Sequence, residues 1–483
     1  MPSIPDPESP AIVWFRRDLR LCDNLALLAA VRTGRPVVCI YIREPSDEFA
    51  GALGAAQACW LHHSLHALDQ SLAQSGNRLL LRTGNPLATI TELTTLTGAA
   101  SVFWNRRYDA DGVRTDTAVK AALTERGIEA KSFTGFLMHE PLRLLTGQNR
   151  RYQVYTPFWR AFEAQVRIQD DLLVPSSMAP PENLPGSESL TCWNLLPSNP
   201  NWARGFEVHW QPGEAGAQAR LDAFAEDSID RYRNGRDYPA DMSTSRLSPH
   251  LAMGEISPHR VWNATSAVFN ERTAEDVVQF RRQLVWREFS WHLLFHCPDM
   301  ATANLNSRFD SFAWRGDSDN LSAWQRGMTG YPIVDAGMRE LWQTGWMHNR
   351  VRMVAASFLI KHLLIDWRQG ERWFRNTLLD ADQANNAASW QWVAGSGADA
   401  APFFRIFNPI KQGETFDPSG TYVKRYCPEL AGLPDRYVHR PFDAPDAVLT
   451  DAGVVLGHNY PKPLVSHPFA RQRALAAYRA TAQ

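Results

Sequence analysis

The chain contains no run of 18 or more apolar residues, so no segment reads as a membrane-spanning helix. Its opening, MPSIPDPESP, lacks the basic-then-apolar pattern of a secretory leader, and the expected location is the cytosol, that of a bacterium. Only six cysteines occur (Cys22, Cys39, Cys59, Cys192, Cys297 and Cys427); they are scattered, with no CxxC pair and no Cys/His cluster at ligand spacing. This excludes a disulfide scaffold and a zinc module, and predicts reduced structural thiols and no metal. Charge of one sign is also lacking: 50 Lys+Arg against 51 Asp+Glu leave a formal charge of −1. A protein that coats nucleic acid by bulk charge is thereby excluded, and any DNA contact has to come from a local basic patch. No GxGxxG follows the first strand-like run, so the ordinary dinucleotide fingerprint is missing. No internal repeat, low-complexity tract or hydrolytic triad is evident.

What is present is an ordinary globular composition, 44% hydrophobic over 483 residues, enough for two or three domains. Tryptophan is abundant, 18 against 12 tyrosines, and taken one by one most of these indoles read as core. In the first 140 residues AIVWF (11–15), PVVCIYI (36–42), RLLLRT (78–83), SVFWN (101–105) and EAKSF (129–133) alternate with helical periodicity. That alternation predicts an α/β domain with a doubly wound, Rossmann-like parallel sheet over 1–140. From 141 to 210 the pattern dissolves into Pro, Ser, Asn and Gly, as in LLVPSSMAPPENLPGSESL, and predicts a linker. Residues 211–483 show helical periodicity, with turn-rich stretches around 406–420, and predict an all-α domain ending in HPFARQRALAAYRA.

Four constellations carry chemistry. In EDVVQFRRQLVWREFSWHLLFH (275–296), Gln283, Trp286 and Arg287 share one helical face, an amide, an indole and a guanidinium able to stack a base and hold a phosphate. In WMHNRVRMVAASFLIKHLLI (346–365), read as one helix, Asn349, Arg352 and Met353 repeat the geometry while Arg350 points elsewhere. LLDADQANNAASWQW (378–392) sets Asp380 and Asp382 two apart, with Asn386, Trp390 and Trp392 behind them. This pattern favours a cofactor-binding turn over a metal site, since no further ligands lie nearby. STSRLSPHL (243–251) offers Thr244, Ser245 and Ser248 with Arg246 before a predicted helix, a set that suits a diphosphate but by itself reads more readily as routine capping.

Together with WFRRDLRLCDN (14–24), TSRLSPHLAMGEISP (244–258), WREF (286–289), TGYPIVDAGMRELWQTGWMHNRVRM (329–353) and DADQANNAASWQWVAGSGADAAPFFRIFNP (380–409), these segments resemble the DNA photolyases and cryptochromes over nearly the whole chain. The resemblance implies an antenna-binding α/β domain, a linker and a helical FAD-binding domain. It implies FAD held by Tyr232, Thr244, Ser245, Arg246, Leu247, Ser248, Gln283, Arg287, Asn349, Arg352, Asp380, Asp382 and Asn386. Asn386 would lie near flavin N5, where plant cryptochromes commonly have Asp; an amide there leans toward repair. Trp390, Trp367 and Trp314 map onto the family's electron relay. Contacts to lesion and DNA fall to Gln283, Trp286, Asn349, Met353 and Trp392, with Arg236, Arg287, Arg350, Arg405 and Gln412 near the backbone.

The implied activity is light-driven splitting of cyclobutane pyrimidine dimers in ultraviolet-damaged DNA by a monomeric carbon–carbon lyase. A blue-light receptor with the same fold and FAD is the alternative. Gln283 stands where many dimer photolyases carry Glu, and Phe280 where some carry Trp. Gln283 with WREF resembles the plant-cryptochrome-like class III. The absence of His at Asn349 and Met353 disfavours (6-4) photoproducts as substrate. A second, antenna chromophore is implied, methenyltetrahydrofolate before deazaflavin.

Overall fold

The computed structural model describes residues 8–44, 53–175, 177–399 and 404–481. Most of the opening decapeptide, Ser176 of the linker and residues 400–403 of the 380–409 run lie outside the described residues. The chain divides into two compact units: one of Met1–Trp202, Trp210–Asp230 and Ser245–Pro298, the other of Ala203–His209, Arg231–Thr244 and Asp299–Gln483.

In unit one, β1 (Ala11–Phe15), β2 (Val37–Arg43), β3 (Leu79–Thr83), β4 (Ser101–Asn105) and β5 (Glu129–Phe133) form one parallel sheet in the order β3-β2-β1-β4-β5. The connections are α1 (Leu25–Val31), α2 (Ala55–Gln74), α3 (Pro86–Thr97) and α4 (Ala110–Glu125). β1 and β4 are buried at every residue, as a sheet covered on both faces requires. β5 is the edge strand, and its Glu129 and Lys131 are exposed, charges that blunt further pairing. Side chains of Asn24, Asn85 and Asp109 cap α1, α3 and α4 by accepting a backbone N–H of the first turn. The expected doubly wound sheet is therefore present, each strand within one residue of its sequence-based range.

The stretch read as a bare linker contains α5 (Tyr155–Gln165). Its apolar residues Phe158, Trp159 and Phe162 are buried along one face, and Pro157 is tolerated because it stands in the first turn. Short turns at Leu190–Trp193 and Phe206–His209 follow. Unit one also contains α6 (Ala274–His296), the single helix anticipated over 275–296.

Unit two is helical. It contains α7 (Pro332–Thr344), α8 (Asn349–Ser357), a π-helical turn at Phe358–His362, α9 (Trp367–Thr377), α10 (Gln383–Ala394), α11 (Pro409–Phe416) and α12 (His467–Ala480). The one helix expected over 346–365 is thus divided. His348 ends the preceding turn and caps α8, its Nδ1 accepting from Arg350 N, and Leu364 closes the π-turn with φ +57°. The turns expected around 406–420 include α11, started by Asn408 as cap and Pro409 at its first position.

Three buried histidines set an acid limit. Burial lowers His348 to about 4 and His292 and His362 to about 3, from an ordinary 6.5. The unfolded chain binds protons at these sites before the folded one does. Their contribution to stability is complete above pH 6.5 and erodes as pH falls toward 4 and then 3. Thermal melts at stepped pH should show Tm falling steadily below pH 6.5.

Candidate functional site

The predicted site residues divide between the units, and the boundary falls inside STSRLSPHL, between Thr244 and Ser245. Unit one holds Ser245, Arg246, Leu247, Ser248 and the polar face of α6. Arg246 takes φ +52°, uncommon for a non-glycine residue, and its guanidinium lies 4.6 Å from the Trp210 ring centroid. Ser248 begins a helix of only six residues, Ser248–Met253, without a side-chain cap, so the routine capping role does not apply to it.

On α6 the buried Glu288 carboxylate accepts from Met138 N at 2.9 Å and faces His139 Nδ1 at 2.8 Å, which fixes the rotation of the helix. Arg287 donates through Nη1 to Phe136 O at 3.0 Å and to Glu288 Oε1 at 3.2 Å. Its Nη2 is buried with no hydrogen-bond partner among the described residues. Such a donor costs free energy unless something accepts from it, which suits an anionic or carbonyl-bearing ligand.

Trp286 is half-buried and stacks on Tyr155 at 3.8 Å and 4°, and Tyr155 is anchored by donating to Arg282 O at 2.8 Å. One face of the indole is thus committed. Tyr155 escaped sequence reasoning because it lies in the supposed linker. Phe280 is buried against Phe224 at 4.7 Å, so it serves packing within this unit. Gln283 is half-buried and donates to Gln279 O at 3.4 Å.

In unit two, Arg352 reaches across from α8 and grips Asp380 with both nitrogens, Nη1 to Oδ1 at 3.0 Å and Nη2 to Oδ2 at 2.8 Å, while its Nε donates to Met347 O at 2.7 Å. A two-pronged pair of this kind fixes direction as well as charge. The entry of α8 is held in turn by Glu340 of α7, which accepts from His348 N at 3.1 Å and Tyr422 Oη at 2.7 Å. Asp382 caps α10 by accepting from Asn385 N at 2.9 Å. The two carboxylates therefore have different structural duties, and no group of three or more potential metal ligands occurs among the described residues.

One turn into α10, Asn386 donates through Nδ2 to Glu371 Oε1 at 2.9 Å and to Glu371 O at 3.1 Å. Both amide hydrogens are spent, so Oδ1 remains as an acceptor for an incoming N–H. Glu371 itself was missed: it lies on α9, 15 residues away, and no local pattern marks it. Burial pushes its carboxyl upward, opposed by the Arg375 guanidinium at 3.6 Å.

Trp390 and Trp367 are buried at 2% and 0%, whereas Trp314 is half-buried at the edge of the same core. The Trp390 ring lies against Gly370, where any Cβ would collide with it, so the glycine lets α10 close onto α9 one turn from Trp367. Trp367 Nε1 donates to Asn304 Oδ1 at 2.9 Å.

Asn349 is exposed, with its Nδ2 4.0 Å from Met353 Sδ, while Met353 and Trp392 are half-buried. Tyr232 is buried, and burial raises its phenol to about 12. Thr244 is half-buried in the same unit. Two of the expected backbone-facing arginines are not free cations: Arg350 pairs with Asp237 at 2.9 Å, and Arg236 Nε lies 3.9 Å from the same carboxylate. Arg405 is exposed, and Gln412 keeps a buried Oε1 without a hydrogen-bond partner among the described residues.

One unit thus carries a doubly wound sheet, and the other an arginine–carboxylate clamp, an oriented amide and buried indoles. Models of two families match: DNA photolyase over residues 11–181, and the FAD binding domain of DNA photolyase over residues 280–480. A deoxyribodipyrimidine photo-lyase of Agrobacterium fabrum is 57% identical over 98% of both chains. Cryptochrome-1 of Arabidopsis thaliana is 36% identical over 96% of this chain and 69% of its own. The crystal structure of a bacterial class III photolyase from Agrobacterium tumefaciens superposes with a TM-score of 0.95 at 56% identity, covering 98% of each chain. The chain belongs to the DNA photolyase/cryptochrome family, and its helical region is an FAD-binding domain.

Proposed function

We propose that this protein repairs ultraviolet-damaged DNA in the light, splitting cyclobutane pyrimidine dimers as a carbon–carbon lyase. Residues 1–140 form its antenna-binding domain, 141–210 the linker and 211–483 the catalytic domain. The observation that carries the reading is Asn386, whose donors are both spent on Glu371. Its remaining acceptor suits the N–H of a reduced flavin, and it is no source of protons.

When bound, FAD supplies a light-driven one-electron couple. By the family's pattern it would be held by Tyr232, Thr244, Ser245, Arg246, Leu247, Ser248, Gln283, Arg287, Asn349, Arg352, Asp380, Asp382 and Asn386. The unpartnered Arg287 Nη2 fits such a ligand. Buried Trp390 and Trp367 and the half-exposed Trp314 serve as a relay that keeps the cofactor reduced.

The dimer is already poorly stacked, so drawing it out of the duplex costs a few kcal/mol and helps to select it. By the same pattern the lesion contacts fall to Trp286, one face of which is taken by Tyr155, and to Gln283, Asn349, Met353 and Trp392. Arg236, Arg287, Arg350, Arg405 and Gln412 lie toward the backbone. An electron added to the dimer weakens both inter-base C–C bonds and returns once they have broken, so the overall reaction is redox-neutral and needs no acid–base pair.

A second chromophore, methenyltetrahydrofolate, accords with the sheet domain. Beside the paired strands β1 and β4, Arg16 pairs with Asp116 and Arg107 with Asp109, and a deazaflavin is the alternative chromophore. A neighbouring cavity of about 550 Å³ is lined by Arg106, Arg107 and Lys120 together with Asp116 and Glu125, a polar lining of both signs.

The reduced protein should restore pyrimidines from DNA bearing a single cyclobutane dimer under light, and leave a (6-4) photoproduct untouched. Restoration of neither, with the flavin present and reducible, would favour a light receptor.

A further inference from the structure

Trp286 stands midway along α6, half-buried, and the groups behind its indole are themselves buried. Tyr155, the first residue of α5 and 7% exposed, lies parallel to it with centroids 3.8 Å apart and an interplanar angle of 4°. Aromatic pairs left to themselves settle into offset or edge-to-face arrangements, so a pair this close and this parallel is held by its surroundings. Part of the hold is Phe289, buried one turn along α6, which meets both rings nearly at right angles, Tyr155 at 6.0 Å and 72° and Trp286 at 5.8 Å and 74°. Trp159, one turn along α5, adds a further ring 6.5 Å and 27° from Tyr155.

The hydroxyl supplies what a bare ring could not. Tyr155 Oη donates at 2.8 Å to Arg282 O, and in a helix that carbonyl also accepts from the N–H four residues on, which is that of Trp286. A carbonyl has two lone pairs and accommodates both donors. Burial raises the Tyr155 phenol, so it keeps the proton that it donates. One side chain from α5 thus fixes the turn of α6 that carries Trp286 and, through the stack, the plane of its ring. An indole on an open surface samples several rotamers, and ordering it on binding takes free energy from the contact it makes. Here the ordering precedes any ligand.

We propose that Tyr155 is a positioning residue for lesion recognition, which holds the Trp286 ring in one plane so that an extruded pyrimidine pair meets a preformed surface; this rests on the reading of Trp286 as a lesion contact. Tyr155 is covered by the indole and acts through it. Undamaged DNA keeps its bases stacked in the duplex and makes no use of that surface, so Tyr155 matters to damaged DNA alone.

Dark binding of the flavin-loaded protein to a duplex with one cyclobutane thymine dimer, and to the same duplex undamaged, tests this in the wild type, Tyr155→Phe, Tyr155→Leu, Trp286→Ala and the double variant Tyr155→Leu/Trp286→Ala. Tyr155→Leu should bind the dimer about tenfold more weakly, a part of what stacking on one aromatic ring contributes, and the undamaged duplex as the wild type does. Repair per photon absorbed by the saturated complex should not change. Tyr155→Phe keeps the stack, loses the contact to Arg282 O, and should recover most of the affinity. In the Trp286→Ala background Tyr155→Leu should cost nothing further, because a residue that acts through another has no effect once that other is gone. Full dimer affinity in Tyr155→Leu, an equal loss in the Trp286→Ala background, or a matching loss with undamaged DNA or of bound flavin would overturn the proposal. Dimer affinity untouched by Trp286→Ala would instead remove Trp286 from the lesion site, and this proposal with it.

Discussion

Arg352→Ala is expected to yield a protein purified without flavin and destabilised by about 3 kcal/mol, the low end of the range for breaking a buried ion pair. The low end applies because the Asp380 side chain is 3% exposed whereas that of Arg352 is 24% exposed, so water shares the cost. The loss follows from geometry: removing the guanidinium takes the two-pronged cation from a buried carboxylate and the Nε donor from Met347 O. Arg352→Lys should restore part of the stability and little of the flavin, because one ammonium cannot span both carboxylate oxygens. Flavin absorbance per chain and urea melts report the two effects separately. Full flavin occupancy in Arg352→Ala would show that the clamp does not serve the cofactor.

Trp390→Phe is expected to abolish nearly all light-driven reduction of oxidised flavin by an external donor while leaving the fold intact. Trp390 packs against Phe374 at 5.0 Å and Trp324 at 6.2 Å, so a phenyl ring retains most of that packing. The stability cost should fall below the roughly 3–5 kcal/mol of truncation to alanine. Chemically reduced Trp390→Phe should still repair dimers, since the relay feeds the cofactor and does not touch the lesion. Photoreduction at the wild-type rate in this variant would place the path elsewhere.

Much of this was legible in the chain. Strands β1 to β4 declare themselves through dense apolar runs, because a sheet buried on both faces tolerates little else, whereas β5 at the edge carries exposed Glu129 and Lys131. Helices α6 and α12 declare themselves through unbroken periodicity. The division after Ser357 did not, since a π-turn leaves the apolar pattern of FLIKH looking helical.

Within the candidate site, groups adjacent in sequence could be read: Asp380 with Asp382, and Gln283 with Trp286 and Arg287. Partners joined only by the fold could not. Glu371 is marked by nothing but its contact with Asn386, and Tyr155 by nothing but its stack on Trp286. Asp237 was invisible for the same reason, although it pairs with Arg350 and approaches Arg236 on the expected DNA side. Those arginines should therefore add less to the salt dependence of DNA binding than free cations would.

The decisive measurement is the wavelength dependence of dimer repair by the reduced, flavin-loaded protein, set beside the same protein stripped of flavin and beside samples kept in the dark. Thymine absorbance should recover only in the light, with a yield that follows the absorption of the reduced flavin together with any bound antenna, and should not recover without flavin. Equal recovery in the dark, or in the stripped protein, would contradict a flavin-driven repair enzyme.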